Sequence, residues 1–186
     1  MGGRQLHGLL ADGSLVLSRA YNPMFSREPK LERDSVTYFV AAPDGQTVDS
    51  LGPYPGSETF VMGTAEFSSR RDRAFGRVAV IGVRGNDLIL GSSDRYELEI
   101  RGRDGSLREL IRMTNTPAQV TSAEIDRLKR QELERGRSTR FPGAPPEMEA
   151  MVVQRTQVMY EAMPYPETHA AYDSLLVTTS GELWVR

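Results

Sequence analysis

Hydrophobic and polar positions alternate most clearly between residues 75 and 113. Residues 78–83 (VAVIGV) form an apolar run that ends at Arg84-Gly85-Asn86, and Leu88-Ile89-Leu90 follows and stops at Gly91-Ser92-Ser93-Asp94. Tyr96, Leu98 and Ile100 then alternate with Glu97, Glu99 and Arg101; Asp104-Gly105 supplies a tight turn, and residues 107–113 return along it. Period-two alternation bounded by Gly, Asn, Asp and Ser marks strands joined by hairpin turns. The stretch therefore predicts an antiparallel four-stranded meander of about 40 residues. Tyr96, Leu98 and Ile100 should face one packed layer together, because a slip of one residue would turn all three to solvent.

The same pattern stands on either side. Residues 5–10, the turn Asp12-Gly13 and residues 15–19 predict one hairpin; residues 36–42, the turn Asp44-Gly45 and residues 47–51 predict another. Between them, the polar segment 21–34 carries Pro23 and Pro29 and reads as a loop. Gly52-Pro53-Tyr54-Pro55-Gly56 should stop the last strand, since proline donates no ladder hydrogen bond. Residues 58–67 read as an extended piece, and residues 68–73 (SSRRDR) as a charged, flexible crossing. Residues 174–178, the turn Ser180-Gly181 and residues 183–185 predict a final hairpin, on which Trp184 is expected to be buried as a large aromatic.

Two helices interrupt the strands. Thr121-Ser122-Ala123-Glu124 is a capping box, with Val120 and Ile125 at staple positions, and opens a helix over residues 122–135 that should end near Gly136. Its apolar face (Ile125, Leu128, Leu133) is thin, which predicts a surface helix. Pro145-Pro146 opens a second helix over residues 146–163, closed by Pro164. Met148, Met151, Val152, Met159 and Ala162 share a face at helical spacing and are expected to pack on the rest of the fold.

The turns recur in matched places. Asp12-Gly13, Gly85-Asn86 and Ser180-Gly181 each join a first strand to a second, and Asp44-Gly45 and Asp104-Gly105 each join a third to a fourth. Repeated small meanders separated by insertions predict a mainly β fold, a partial β-propeller of about two and a half antiparallel four-stranded blades. Its units fall at about 5–53, 76–113 and 172–186, with a two-helix insertion at about 120–164, all within one domain over residues 1–186. Gly85-Asn86-Asp87-Leu88, Asp94-Arg95-Tyr96-Glu97, Asp104-Gly105-Ser106-Leu107 and the ending Tyr165-Pro166-Glu167, Tyr172, Leu175, Gly181-Glu182-Leu183-Trp184-Val185 resemble the six-bladed β-propeller proteins related to NHL-repeat folds. These are bacterial, and many are extracytoplasmic. The resemblance runs from about residue 9 to residue 186. It implies a ring of which this chain holds a part, with the rest of the propeller missing, and a periplasmic or extracytoplasmic setting for the full-length protein. Residues 1–14 nonetheless lack the long apolar core of a signal peptide. An open arc of this kind would leave Leu175, Val177 and residues 183–185 only partly covered.

Composition narrows the chemistry. A net charge of −2 and a pI near 5.8 offer no broad pull toward nucleic acid, and Asp72, Glu132 and Glu134 dilute the basic stretches 68–73 and 135–140. The chain has no cysteine, hence no disulfide and no thiolate metal site, and no apolar run approaches the roughly 20 residues of a membrane span. His7 and His169 are the only histidines and lie far apart in sequence; there is no Gly-x-Ser-x-Gly elbow and no P-loop.

In a propeller the loops between second and third strands, and those between blades, gather on one rim. That places residues 21–34, 92–96 and 164–172 together, and makes Asp94, Arg95, Tyr96, Tyr165, Glu167 and His169 the candidate binding residues. Each also has a plain structural use: Asp94 forms a turn, Arg95 is a solvated charge, Tyr96 opens a strand, and Tyr165 anchors a helix. The expected function is non-catalytic binding of a protein or small molecule, with no cofactor and no assigned catalytic residue. The alternative is a hydrolase of the propeller lactonase or esterase kind, which the resemblance includes and which would hold a divalent cation such as calcium. The innermost strands, at 5–10, 78–83 and 174–178, contribute no carboxylate, which favours binding.

Overall fold

The computed structural model describes residues 4–20, 28–44, 47–63, 68–138 and 146–186. β1 (Arg4–Leu9), β2 (Leu15–Ala20), the short β3 (Lys30–Glu32), β4 (Ser35–Ala41) and β5 (Thr47–Pro55) are followed by β6 (Thr59–Gly63) and β7 (Ser68–Asp72). β8 (Val80–Arg84), β9 (Asp87–Gly91), β10 (Glu97–Gly102) and β11 (Leu107–Arg112) come next. The helices α1 (Ser122–Ser138) and α2 (Pro146–Ala162) precede the hairpin β12 (Leu175–Val177) and β13 (Leu183–Val185). The strands form antiparallel sheets in the orders β1-β2-β4-β5, β8-β9-β10-β11, β12-β13 and β3-β6-β7. The protein is mainly β, with sheets of two to four strands and, among the described residues, two helices.

The sheets stack face on face. Val16 and Val40, paired across β2 and β4, join Leu10 in a core against Leu88, Ile81 and Val83 of the second sheet. The opposite face of that sheet presents Val80, Ile89, Leu98 and Ile100, which the hairpin covers with Leu175, Val177, Leu183 and Val185. Leu98 and Ile100 are buried, and Tyr96 joins the same layer half-buried at its end. Leu88-Ile89-Leu90 reads as a continuous apolar run because both faces of β9 are covered.

The first strands of the three stacked units adjoin one another: β8 touches β1 on one side and β12 on the other. Glycine permits the approach. A Cβ on Gly82 would lie 2.6 Å from Val177 Cγ2, and one on Gly8 would lie 2.9 Å from Val83 Cγ2. The hairpin turns sit at a common end, where the Ala11 N–H donates to the Gly85 carbonyl at 2.8 Å and Gly181 lies against the Arg84 side chain. Gly85 adopts φ 60°, which an L side chain reaches only with strain.

Several expectations are corrected. β5 does not stop at Gly52 but runs through Pro53 and Pro55, which pair in register with Thr37 and Ser35. It is an edge strand, where a missing N–H leaves no ladder bond unmade. Residues 68–72 are no flexible crossing but strand β7, paired to β6, with Arg70 bound at 2.8 Å to both Glu32 and Asp34. α1 passes through Gly136, which is buried where α2 brings Thr156 and Val152 close, so a small residue serves a helix contact and not a stop. α2 turns Met159 and Tyr160 inward, with Met163 just beyond its end, onto Phe60 and Met62 of β6; Met148, Met151 and Ala162 are exposed. Trp184 is 63% exposed, because a two-stranded hairpin is covered on one face only. Part of the predicted loop 21–34 is strand β3, and residues 21–27 lie outside those described.

Replacing Gly82 by Val should destabilise the protein by about 1–3 kcal/mol, the usual cost of overpacking, and free the hairpin first. Limited proteolysis checks this: cleavage within 173–186 should precede cleavage elsewhere. A variant that melts with the wild type would show that the hairpin is not seated on β8.

Candidate functional site

The turn joining β9 to β10 is held by Ser93, fully buried with φ 52°. Its Oγ accepts the Val78 N–H at 2.7 Å, its N–H donates to the Tyr172 hydroxyl at 3.1 Å, and its carbonyl accepts the Ala171 N–H at 3.0 Å. The Tyr172 hydroxyl donates in turn to the Glu97 carbonyl at 2.9 Å. Gly91 leaves room for it, since a Cβ there would lie 2.1 Å from that oxygen. From this fixed turn Asp94 projects its carboxylate toward Arg33, which donates to both oxygens at 2.7 Å and to the carbonyls of Ser92 at 3.1 Å and Gly56 at 3.0 Å. The Arg33 hydrogen bonds hold the Asp94 carboxyl below the usual aspartate range, against the opposing effect of burial.

Beside this pair, between the β4–β5 side of the first sheet and the β9–β10 side of the second, lies a cleft of about 450 Å³. Tyr38, Tyr54, Asp94, Arg95, Glu97 and Glu99 supply its functional groups, over an apolar base that includes Leu90. Glu97 and Glu99 face it because they alternate with Leu98 and Ile100, which point to the hairpin. The Tyr38 and Tyr54 rings lie 5.7 Å apart, and Tyr38 meets His7 edge-on at 5.7 Å. Tyr38 is 3% exposed, and burial pushes its hydroxyl pKa up to about 12, so it stays a neutral donor across the physiological range.

That hydroxyl makes no hydrogen bond among the described residues. Thr59 Oγ1 is the one enclosed side-chain polar atom there without a partner. The Tyr38 oxygen therefore reaches open space, and the space Tyr38 borders is the cleft.

The carboxylates around the cleft each have their own arginine. Asp94 has Arg33, Glu97 accepts from Arg112 at 2.6 Å, and Glu99 accepts from Arg101 at 2.7 Å. Arg101 also donates to the Gly105 carbonyl and lies 5.7 Å from the Tyr54 ring centre. Arg95 is exposed and makes no ion pair among the described residues. The walls thus combine aromatic rings, acceptors and a guanidinium with little net charge.

Of the residues singled out by the sequence, Asp94 and Arg95 line this cleft. Tyr96 points to the opposite face and meets the Tyr172 ring edge-on at 5.7 Å. Tyr165, Glu167 and His169 gather instead at the helices. The Phe75 ring lies 5.1 Å from His169 and 6.4 Å from Tyr165. His169 Nε2 sits 3.3 Å from Glu124 Oε1, and the Tyr165 hydroxyl donates to the Tyr160 carbonyl at 2.7 Å. The backbone of 167–169 pairs with 118–120, through the Val120 N–H to the Glu167 carbonyl and the His169 N–H to the Ala118 carbonyl. Tyr38, Tyr54, Glu97, Glu99 and Arg33 were not read as site residues. The signal for Tyr38 was an aromatic at an inward strand position whose hydroxyl needs a partner.

Among the described residues no three His, Asp or Glu side chains converge as a metal-binding group, and no helix is long and apolar enough to cross a membrane. No family model, curated protein or solved structure matches the chain.

A pH prediction follows from the Arg33–Asp94 pair. The folded-state pKa of Asp94 lies below its unfolded value. Its contribution to stability is therefore complete above the ordinary aspartate range and is lost as pH falls through the depressed folded value. Arg33→Gln should raise the Asp94 titration toward the ordinary range and start acid unfolding at a higher pH. Carboxyl NMR titration checks the first shift, and acid melts monitored by circular dichroism check the second.

Proposed function

We propose that this chain is a non-catalytic binding module built as about two and a half blades of a β-propeller, and that its inter-sheet cleft takes a small, neutral, polyhydroxylated ligand of the saccharide type. The propeller reading is supported by three adjoining first strands, turns at a common end and sheets stacked face to face. The Tyr38 hydroxyl carries the ligand reading: it opens on the cleft and has no hydrogen-bond partner among the described residues, so it is free to bond a ligand hydroxyl there.

The ligand class follows from the charge arrangement. Because Asp94, Glu97 and Glu99 are each paired with arginine, a charged ligand gains little from them. Carboxylate oxygens accept from hydroxyls, Arg95 donates to them, and the tyrosine rings give a flat apolar surface for the C–H face of a sugar ring. A space of about 450 Å³ lies within the ordinary range for small-molecule sites.

A panel of neutral mono- and disaccharides, screened by saturation-transfer NMR and titrated by calorimetry, tests this reading. Tyr38→Phe should weaken binding about fivefold, the effect of losing about 1 kcal/mol of hydrogen bonding, without changing the fold. If every sugar fails to bind, or if Tyr38→Phe binds like the wild type, the cleft is not the site.

A further inference from the structure

The charged stretch 68–73 builds two different faces once it is a strand. Side chains alternate along β7, so Arg70 and Asp72 share one face and Ser69 and Arg71 the other. Arg70 is occupied on its face by Glu32 and Asp34. Ser69 and Arg71 stand across from Met62 and Phe60 of β6, the two residues on which α2 packs. Asp72 adjoins Arg71 in sequence, yet alternation turns it to the far side of the sheet.

Where α2 crosses this face, a hollow of about 140 Å³ opens between strand and helix. Ser69 and Arg71 of β7 and Arg155 and Thr156 of α2 supply its polar groups, over Met159 and the Tyr160 side chain. No carboxylate stands among its described lining residues. Among the described residues Arg71 makes no ion pair, and the Ser69 and Thr156 hydroxyls make no hydrogen bond. The charge of Arg71 is felt at Tyr160. Burial first, and Glu132 next, push the Tyr160 hydroxyl above the ordinary tyrosine range, and Arg71 opposes them. Glu132 is itself bound by Arg135 at 2.5 Å.

We infer that the hollow between β7 and α2 is an anion site that takes a phosphate group, with Arg71 and Arg155 as its charged donors and Ser69 and Thr156 as its neutral ones. A guanidinium stays charged at every physiological pH and matches phosphate oxygens with a fork of N–H groups. The two hydroxyls can each donate to a further oxygen. Donors arrive from a strand on one side and a helix on the other. That suits a tetrahedral group better than a planar carboxylate, which a single guanidinium fork satisfies. The volume lies below the roughly 300 Å³ at which ordinary small-molecule sites begin, so the hollow holds one group and leaves any remainder of the ligand on the surface. In a chain of net charge −2 this positive spot is local, not part of a basic face. The site is separate from the cleft, and neither reading depends on the other.

Titration with inorganic phosphate, phenyl phosphate and acetate at low salt, followed by calorimetry and by phosphorus NMR for the first two, tests the inference. At least one phosphate should bind at a single site, and acetate should bind at least tenfold more weakly. The tighter of the two phosphates identifies the source: the ester a group carried on a small molecule, the inorganic ion a free phosphate. Arg71→Gln should weaken phosphate binding about tenfold, the effect of losing one charge-assisted hydrogen bond. Thr156→Val, which keeps the shape and removes the hydroxyl, should weaken it about threefold to fivefold. Arg127→Gln is the control, since it removes one exposed positive charge from α1, outside the hollow, and should leave binding unchanged. Arg71 is exposed, and an unchanged circular dichroism spectrum confirms folding; Arg155→Gln, also at an exposed position, serves if Arg71→Gln fails that control. Failure of both phosphates to bind, acetate binding as tightly as phosphate, or equal losses in Arg71→Gln and Arg127→Gln would each overturn the inference.

Discussion

Ser93 is the point on which the arrangement of the second sheet depends. Its hydroxyl, amide and carbonyl each bind a different partner, drawn from the lead into β8, from Tyr172 and from the chain before β12. Breaking any one strands a buried polar group at a cost of about 1–3 kcal/mol. The same turn aims Asp94 at Arg33, so the geometry of the cleft mouth and the attachment of the final hairpin share one support. The left-handed backbone at Ser93, which a serine adopts at some cost, is held by this surrounding network.

A second dependence is the doubling of apolar faces. The second sheet is covered on both sides, while the first sheet and the hairpin are each covered within the stack on one. This asymmetry explains why β9 is apolar at every inner position while β10 alternates apolar and charged residues. Toward its tyrosine-lined end the space between the first two sheets opens into the cleft, where Glu97 and Glu99 find arginines and solvent; toward the hairpin, Leu98 and Ile100 find only carbon.

Much of the fold was legible in the sequence. The strand alternation at Tyr96, Leu98 and Ile100, the turns at Gly85 and Gly105, and the capping box, in which Glu124 and Thr121 do bond reciprocally, are local signals with local causes. The misses were tertiary. SSRRDR looks like solvated loop until Glu32 and Asp34 are placed beside Arg70, and Pro53 and Pro55 look like stops until β5 is known to be an edge. α2 has apolar residues on several faces, so the side that meets Phe60 could not be chosen from spacing alone. At the site, Asp94 and Arg95 could be read from their turn, but Tyr38 lies in ordinary strand alternation. Only the neighbouring sheet reveals that its hydroxyl ends in a cleft and not in a core.

The prolines of β5 have a consequence for how the surface meets other chains. Pro53 and Pro55 occupy the outermost strand of the first sheet and offer no N–H to an incoming strand. The outermost strand of the second sheet, β11, lines its border with the exposed charges of Arg108, Glu109 and Arg112. Both rims thus discourage the backbone zippering by which open sheets coalesce into fibrils. Lateral growth by hydrogen bonding is blocked at these two edges, β5 and β11, while the other two edge strands of the four-stranded sheets, β1 and β8, lie against each other.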